Sequence, residues 1–218
     1  MKYQYKKLKC SQIISEVLQD LNLNISVNYY PDYQIKENLR THGQIMFFSA
    51  IGDEAERKSY KSLSPAEQDS FVTKSPCIHF PHLTVFNLIE LLKSDEGTVY
   101  EETRNTANNV KMQAACSLEV RCLLFIFLHE VGHWNQLMND FHGRVKEYSD
   151  TDLEEEKRLH DEQNELQRRI TGRRPTQQEK QTMKRFQEEY RQIPKEKYAN
   201  MFAEKKMSEI SAKVLGKF

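Results

Sequence analysis

The stretch Leu123-Leu124-Phe125-Ile126-Phe127-Leu128-His129-Glu130-Val131-Gly132-His133-Trp134-Asn135-Gln136-Leu137 decides how this chain is read. Its apolar positions are dense enough for a buried helix, yet two histidines and a glutamate interrupt them. On an α-helix, residues i and i+4 share a face one turn apart, so His129 and His133 present both imidazoles to the same point. Such groups are expensive inside an apolar helix unless something pairs them. A metal ion is the simplest partner; two histidines satisfied by hydrogen bonds in a buried helix are the plainer alternative. Gly132 weighs against that alternative. A glycine costs a helix about 1 kcal/mol relative to alanine unless its missing side chain is useful, and close packing beneath a metal is such a use.

His129-Glu130-Val131-Gly132-His133 is an H-E-x-x-H pattern. In such sites the histidines bind zinc, and the glutamate takes a proton from zinc-bound water acidified to a pKa of about 7. Glu130 is therefore the candidate general base. A catalytic zinc takes three protein ligands and an open position. Metzincin-like sites put a glycine three and a histidine six residues after the second histidine; here those positions are Gln136 and Asn139, which excludes that class. Read from the residues alone, the third ligand has several candidates. His142 would serve if the helix ended soon after Met138, and Glu154, Glu155 and Glu156 follow within a charge run of the kind that is usually a solvated face.

Downstream stands Glu196-Lys197-Tyr198-Ala199-Asn200-Met201-Phe202-Ala203. H-E-x-G-H followed by E-x-x-A-N-x-F-A resembles the ImmA/IrrE-type, gluzincin-like metallopeptidases. The resemblance covers the two motifs and a plausible order of elements, and it implies that His129, His133 and Glu196 bind the zinc with Glu130 as base. It implies further a zinc-dependent endopeptidase acting on specific intracellular protein substrates such as a repressor or other regulator. About sixty residues separate His133 from Glu196, where the family usually has a shorter connection.

That connection reads as an inserted helical hairpin over 151–192. Thr151 with Glu154 and Thr176 with Glu179 have capping-box spacing, and Thr171-Gly172-Arg173-Arg174-Pro175 supplies a stop, a turn and a restart. Two antiparallel helices return the chain to its point of departure. Their apolar residues are few: Leu159, Leu166 and Ile170 on one, and Met183, Phe186, Tyr190 and Ile193 in a narrow seam on the other. The expected architecture is α+β: a zincin-like domain (1–150 and 193–218) with a small sheet and an active-site helix, carrying the hairpin as an arm. The hairpin's charges are balanced in sign, which fits a solvated helix pair; docking of a regulatory protein is the more specific reading.

Upstream, Ile13, Ile14, Val17, Leu18 and Leu21 predict an opening helix over Ser11 to Leu21. Ile25 to Tyr30 and Gln44 to Ala50 read as strands. In the polar stretch from Asp53 to Lys74, Ser64-Pro65-Ala66-Glu67 starts a short surface helix. Cys77-Ile78-His79-Phe80, fenced by Pro76 and Pro81, reads as an edge strand, and Ile78 to Phe80 as a rim on which a substrate backbone can pair. Val85, Leu88, Ile89, Leu91 and Leu92 follow at helical spacing. The last helix carries Ala199, Phe202, Ala203, Ile210 and Val214 toward the His helix. His142, Tyr148 and Tyr198 are candidates for stabilising the oxyanion of peptide hydrolysis.

Lysine plus arginine and aspartate plus glutamate number 32 each, so no global field draws the chain to nucleic acid or anionic lipid, and neither is an expected partner. No helix-turn-helix is visible. The apolar run before His129 is far shorter than the roughly 20 residues a membrane span needs. The basic N-terminus lacks a signal peptide's apolar core. Cys10, Cys77, Cys116 and Cys122 form no C-x-x-C pair, which fits free thiols in the cytoplasm. Two other functions stay open at this stage: a zinc-binding, non-catalytic interaction protein acting through the hairpin, and a small-molecule zinc hydrolase such as an amidase.

Overall fold

A computed structural model describes residues 7–42, 47–50, 52–94 and 99–218. The architecture is mixed α+β and mostly helical. Helix α1 (Cys10–Asp20) leads to β1 (Ser26–Tyr30), α2 (Asp32–His42), β2 (Phe48–Ala50), α3 (Glu54–Ser62), α4 (Pro65–Asp69) and β3 (Cys77–Pro81). Helices α5 (Val85–Ser94), α6 (Val99–Asn109), α7 (Leu118–Asn139) and α8 (Val145–Asp150) follow. The chain ends with α9 (Leu153–Ile170), α10 (Gln177–Tyr190), α11 (Pro194–Glu209) and α12 (Ala212–Leu215). No described helix is long and apolar enough to cross a membrane. Of the expected strand Gln44 to Ala50, the residues Gln44 to Met46 lie outside the described set.

The three strands form one sheet in the order β1-β3-β2, with β1 parallel and β2 antiparallel to β3. Cys77 to Pro81 is thus the central strand and not an edge, which corrects the sequence reading and removes Ile78 to Phe80 as a substrate rim. The prolines are tolerated because they sit at the strand's two ends. Pro76 contributes only its carbonyl, which accepts from Ser26 N at 3.1 Å, and beyond Pro81 the next donor, His82 N, reaches Tyr30 O at 3.0 Å. A missing N–H at either end therefore breaks no ladder bond.

Helix α7 packs against this sheet. Its run Val120 to Leu128 is buried at nearly every position, with Val131, Trp134 and Leu137 continuing the buried face, as expected of a helix enclosed on several sides. Phe127 meets Phe80 of β3 edge to face, ring centroids 6.1 Å apart. Trp134 Nε1 donates to the Cys77 carbonyl at 2.6 Å, fixing the helix against the central strand. At its start Ser117 Oγ accepts from Val120 N at 3.3 Å. The Arg121 guanidinium is spread over the last carbonyls of α6, with Nε 2.9 Å from Ala107 O and Nη2 3.0 Å from Asn108 O.

Helix α11 lies along α7 more extensively than any other element does. Helices α9 and α10 pair antiparallel: Arg158 faces Glu189 (3.5 Å) while Arg185 faces Glu162 (4.0 Å), so register rises on one helix as it falls on the other. Leu159, Leu166, Ile170, Phe186 and Ile193 make a core of their own for this pair, separate from the main one, with Met183 packed on it. The Thr176–Glu179 capping box forms, Thr176 N donating to Glu179 Oε2 at 2.8 Å. The expected box at Thr151 does not. Thr151 Oγ1 turns back to Glu147 O at 3.0 Å, and the chain enters α9 through Asp152 at φ 63.

Candidate metal centre

His129 and His133 stand one turn apart on α7, and α11 brings Glu196 across to them. The approach of the two helices rests on Gly132. A Cβ at that position would lie 2.7 Å from Ala199 Cα, 3.0 Å from Ala199 O and 3.2 Å from Phe202 Cβ, so only glycine lets α11 come this close. Ala199 is itself fully buried. The small residues expected to pack beneath the histidines thus do so, with the glycine on one helix and the alanine on the other.

Three side chains converge. His129 Nε2 is 3.1 Å from His133 Nε2, His129 Nε2 is 3.3 Å from Glu196 Oε2, and His133 Nε2 is 3.5 Å from Glu196 Oε1. Among the described residues these three form a group that can hold a metal, with ligand atoms all within 4.8 Å of one another. A tetrahedral ion with bonds of about 2.0–2.1 Å has ligand atoms about 3.3 Å apart along each edge. The imidazole pair stands close to that length and the carboxylate meets each imidazole with a different oxygen, so the donor set fits such an ion once one of those oxygens turns to it.

The outer nitrogens are held as well. His129 Nδ1 is 3.0 Å from Asn200 Oδ1, an oxygen that can only accept, so Nδ1 carries a proton and Nε2 is the nitrogen left to bind an ion. His133 Nδ1 is 2.8 Å from the Tyr148 hydroxyl. Metal-binding histidines nearly always have such an outer partner, which fixes tautomer and ring plane. Asn200 had no role in the sequence reading. The signal was present, because Asn200 follows Glu196 by four residues and so shares its helical face.

The electrostatics are those of a buried, mutually dependent set. Burial opposes protonation of His129, but the hydrogen bond to Glu196 and the charges of Glu130 and Glu196 outweigh it and raise its pKa. His133 is held down to about 4, first by burial and then by the charge of His129, with Lys195 adding to the effect. Burial would raise the Glu196 carboxyl; the hydrogen bond from His129 and the charge of His133 instead bring it below the ordinary carboxylate range. Neutral His133 and ionised Glu196 are the forms that bind metal, whereas the raised pKa of His129 means that it must give up a proton to do so.

Glu130 sits one residue from His129, and its charge also acts on Tyr148 and Tyr190. Of the three oxyanion candidates, Tyr148 serves His133 from α8. Tyr198 OH donates to Asn135 Oδ1 at 2.6 Å. His142 is exposed in a left-handed turn (φ 53) and joins no metal-holding group among the described residues. The rival acids do not join it either. Glu156 is 2.8 Å from Lys195 Nζ, Glu155 is 3.8 Å from Arg158, and Glu154 is exposed.

Sequence reasoning missed Tyr190. Its spacing places it in the hairpin's apolar seam, yet it is 43% exposed and its hydroxyl donates to Glu196 Oε1 at 2.9 Å.

No protein-family model, no curated protein and no solved structure matches this chain.

Proposed function

We propose that this chain is a zinc-dependent endopeptidase that hydrolyses peptide bonds in specific intracellular protein substrates, in keeping with the ImmA/IrrE resemblance of its two motifs. One observation carries the reading: His129, His133 and Glu196, drawn from motifs about sixty residues apart, converge with their ligand atoms within 4.8 Å of one another. Two imidazoles and a carboxylate are a donor set that suits zinc and leaves a fourth position open.

When bound, a zinc ion would polarise the substrate carbonyl and lower the pKa of a bound water to about 7. The chain's own residues do the rest. His129, His133 and Glu196 would hold the ion, Asn200 and Tyr148 orient the two imidazoles, and Glu130 would accept a proton from the attacking water and pass it to the leaving amine. A repressor or other regulator is the substrate class that the resemblance suggests. The cytoplasmic placement draws on four free thiols, three of them buried.

The alternative, a metal-binding interaction protein acting through α9 and α10, draws on one specific feature. That helix pair closes on its own core and turns charged faces outward. Glu130→Gln separates the two readings. The peptidase should keep its zinc and fold while losing hydrolysis of a protein substrate. Undiminished biological activity in that variant would favour the interaction protein.

A further inference from the structure

The helical pair is tied to the metal centre at both of its roots. At the start of α9, Asp152 Oδ2 accepts from Lys195 N at 3.3 Å and Glu156 Oε1 lies 2.8 Å from Lys195 Nζ, so the residue next to Glu196 is held from two sides. At the end of α10, the Tyr190 hydroxyl donates to Glu196 Oε1 at 2.9 Å, the oxygen that also lies 3.5 Å from His133 Nε2, which leaves Oε2, 3.3 Å from His129 Nε2, to face an ion. The following residue, Arg191, fixes that end to α6, with Nε 3.5 Å from Glu102 Oε2 and Nη1 3.3 Å from Thr106 Oγ1. The neighbours of Tyr190 in the apolar seam, Phe186 and Ile193, are buried in the pair's own core, whereas Tyr190 leaves it for the carboxylate.

A carboxylate that gives one oxygen to an ion can turn about its last bond unless its other oxygen is held. Partners that hold a ligating group in this way typically account for 10–100-fold in metal affinity. A phenol suits the task, since as a neutral hydroxyl it donates its proton to the oxygen while its ring anchors to another element. Tyr198 is the natural contrast. It lies on α11 only two residues from Glu196, but its hydroxyl is engaged with Asn135 and touches no ligand.

We infer that Tyr190 is a positioning residue of the metal centre, fixing the Glu196 carboxylate through its hydroxyl, and that α9 and α10 are thereby built into the site and are not a detachable arm. The inference rests on the metal-site reading above. The test titrates the full chain with zinc against a chromophoric chelator and records the cobalt(II) absorption bands, for the parent protein, Tyr190→Phe and Tyr198→Phe. The ring is retained in both variants, and far-UV circular dichroism checks the fold. Tyr190→Phe should bind zinc about 10–100-fold more weakly, with altered cobalt bands, while Tyr198→Phe matches the parent. If Tyr190→Phe binds as tightly as the parent, or if Tyr198→Phe weakens as much, the positioning role is overturned and the metal-site reading survives. A parent protein that binds neither ion would overturn both.

Discussion

Gly132 of α7 and Ala199 of α11 meet backbone to backbone: any side chain at 132 would place its Cβ 2.7 Å from Ala199 Cα. This contact sets how far Glu196 reaches toward the two histidines. In Gly132→Ala, the usual helix gain of about 1 kcal/mol for replacing glycine opposes an overpacking cost of about 1–3 kcal/mol. The obstacle is backbone and not a flexible side chain, so the net effect should be destabilising. Thermal unfolding should fall by a few degrees, at about 2–4 °C per kcal/mol for a chain of this size. Zinc affinity should fall with it. A variant as stable as the parent, with undiminished zinc binding, would show that α11 has room to move.

Asn200 should matter to the metal without touching it. Asn200→Ala removes the acceptor of His129 Nδ1 and should weaken zinc by about 10–100-fold, measured by chelator competition. Asn200→Asp offers a carboxylate to the same nitrogen and should restore most of the loss. If Asn200→Ala binds normally, the contact at 3.0 Å contributes nothing to the orientation of the ring.

The parts of the fold that were legible in the sequence are those whose signals are local. The apolar run before His129, the two histidines one turn apart and the Thr176–Glu179 box each declare themselves within a few residues. The order of the sheet does not. Pro76 and Pro81 say that two donors are missing, but only the tertiary structure shows that the ladder never needed them there. Helix α3 was missed although Asp53 caps it, accepting from Glu56 N at 2.9 Å, and α2 has too few apolar residues to show a period. Tyr190 has seam spacing, and spacing cannot reveal that a ring leaves its seam to bond a residue on the next helix.

Metal removal and pH should act together. Zinc at 100 times its Kd stabilises the folded state by about 2.7 kcal/mol, so chelation should lower the unfolding temperature by several degrees at pH 7. The sign with pH follows from proton competition. Protons and metal compete for the same nitrogens, and the raised pKa of His129 lets protons compete at a higher pH than at an ordinary histidine. The zinc-dependent gain should therefore shrink as pH falls from 7 toward 5. In the metal-free protein, His133, neutral down to about 4, has its folded pKa below its unfolded one. Its contribution is present above the ordinary histidine range and is lost as pH falls through it toward 4. Thermal melts with and without chelator across this range test both; a zinc gain that stays constant to pH 5 would contradict the proposed ligands.

Lys195 is a buried ammonium beside the candidate ligand, 6% exposed, paired with Glu156 and lying 5.4 Å from the centroid of the Tyr148 ring. Its charge helps hold His133 neutral, and it sits over the tyrosine whose hydroxyl holds that same histidine. Removing its partner leaves an uncompensated charge. For a fully buried pair that loss costs about 3–5 kcal/mol; with Glu156 partly exposed, Glu156→Ala should cost about 2 kcal/mol. The neighbouring Glu155→Ala, which loses only an exposed contact, should cost less than about 0.5 kcal/mol. Replacing both partners in Lys195→Met/Glu156→Leu removes the charge together with its counter-charge and should recover most of the stability. Denaturant unfolding of the parent, Lys195→Met, Glu156→Leu and Lys195→Met/Glu156→Leu closes a double-mutant cycle that measures the coupling. Equal effects of Glu155→Ala and Glu156→Ala would show that solvent screens the pair, and that the Asp152 contact with Lys195 N, and not this pair, holds the root of α9 beside Glu196.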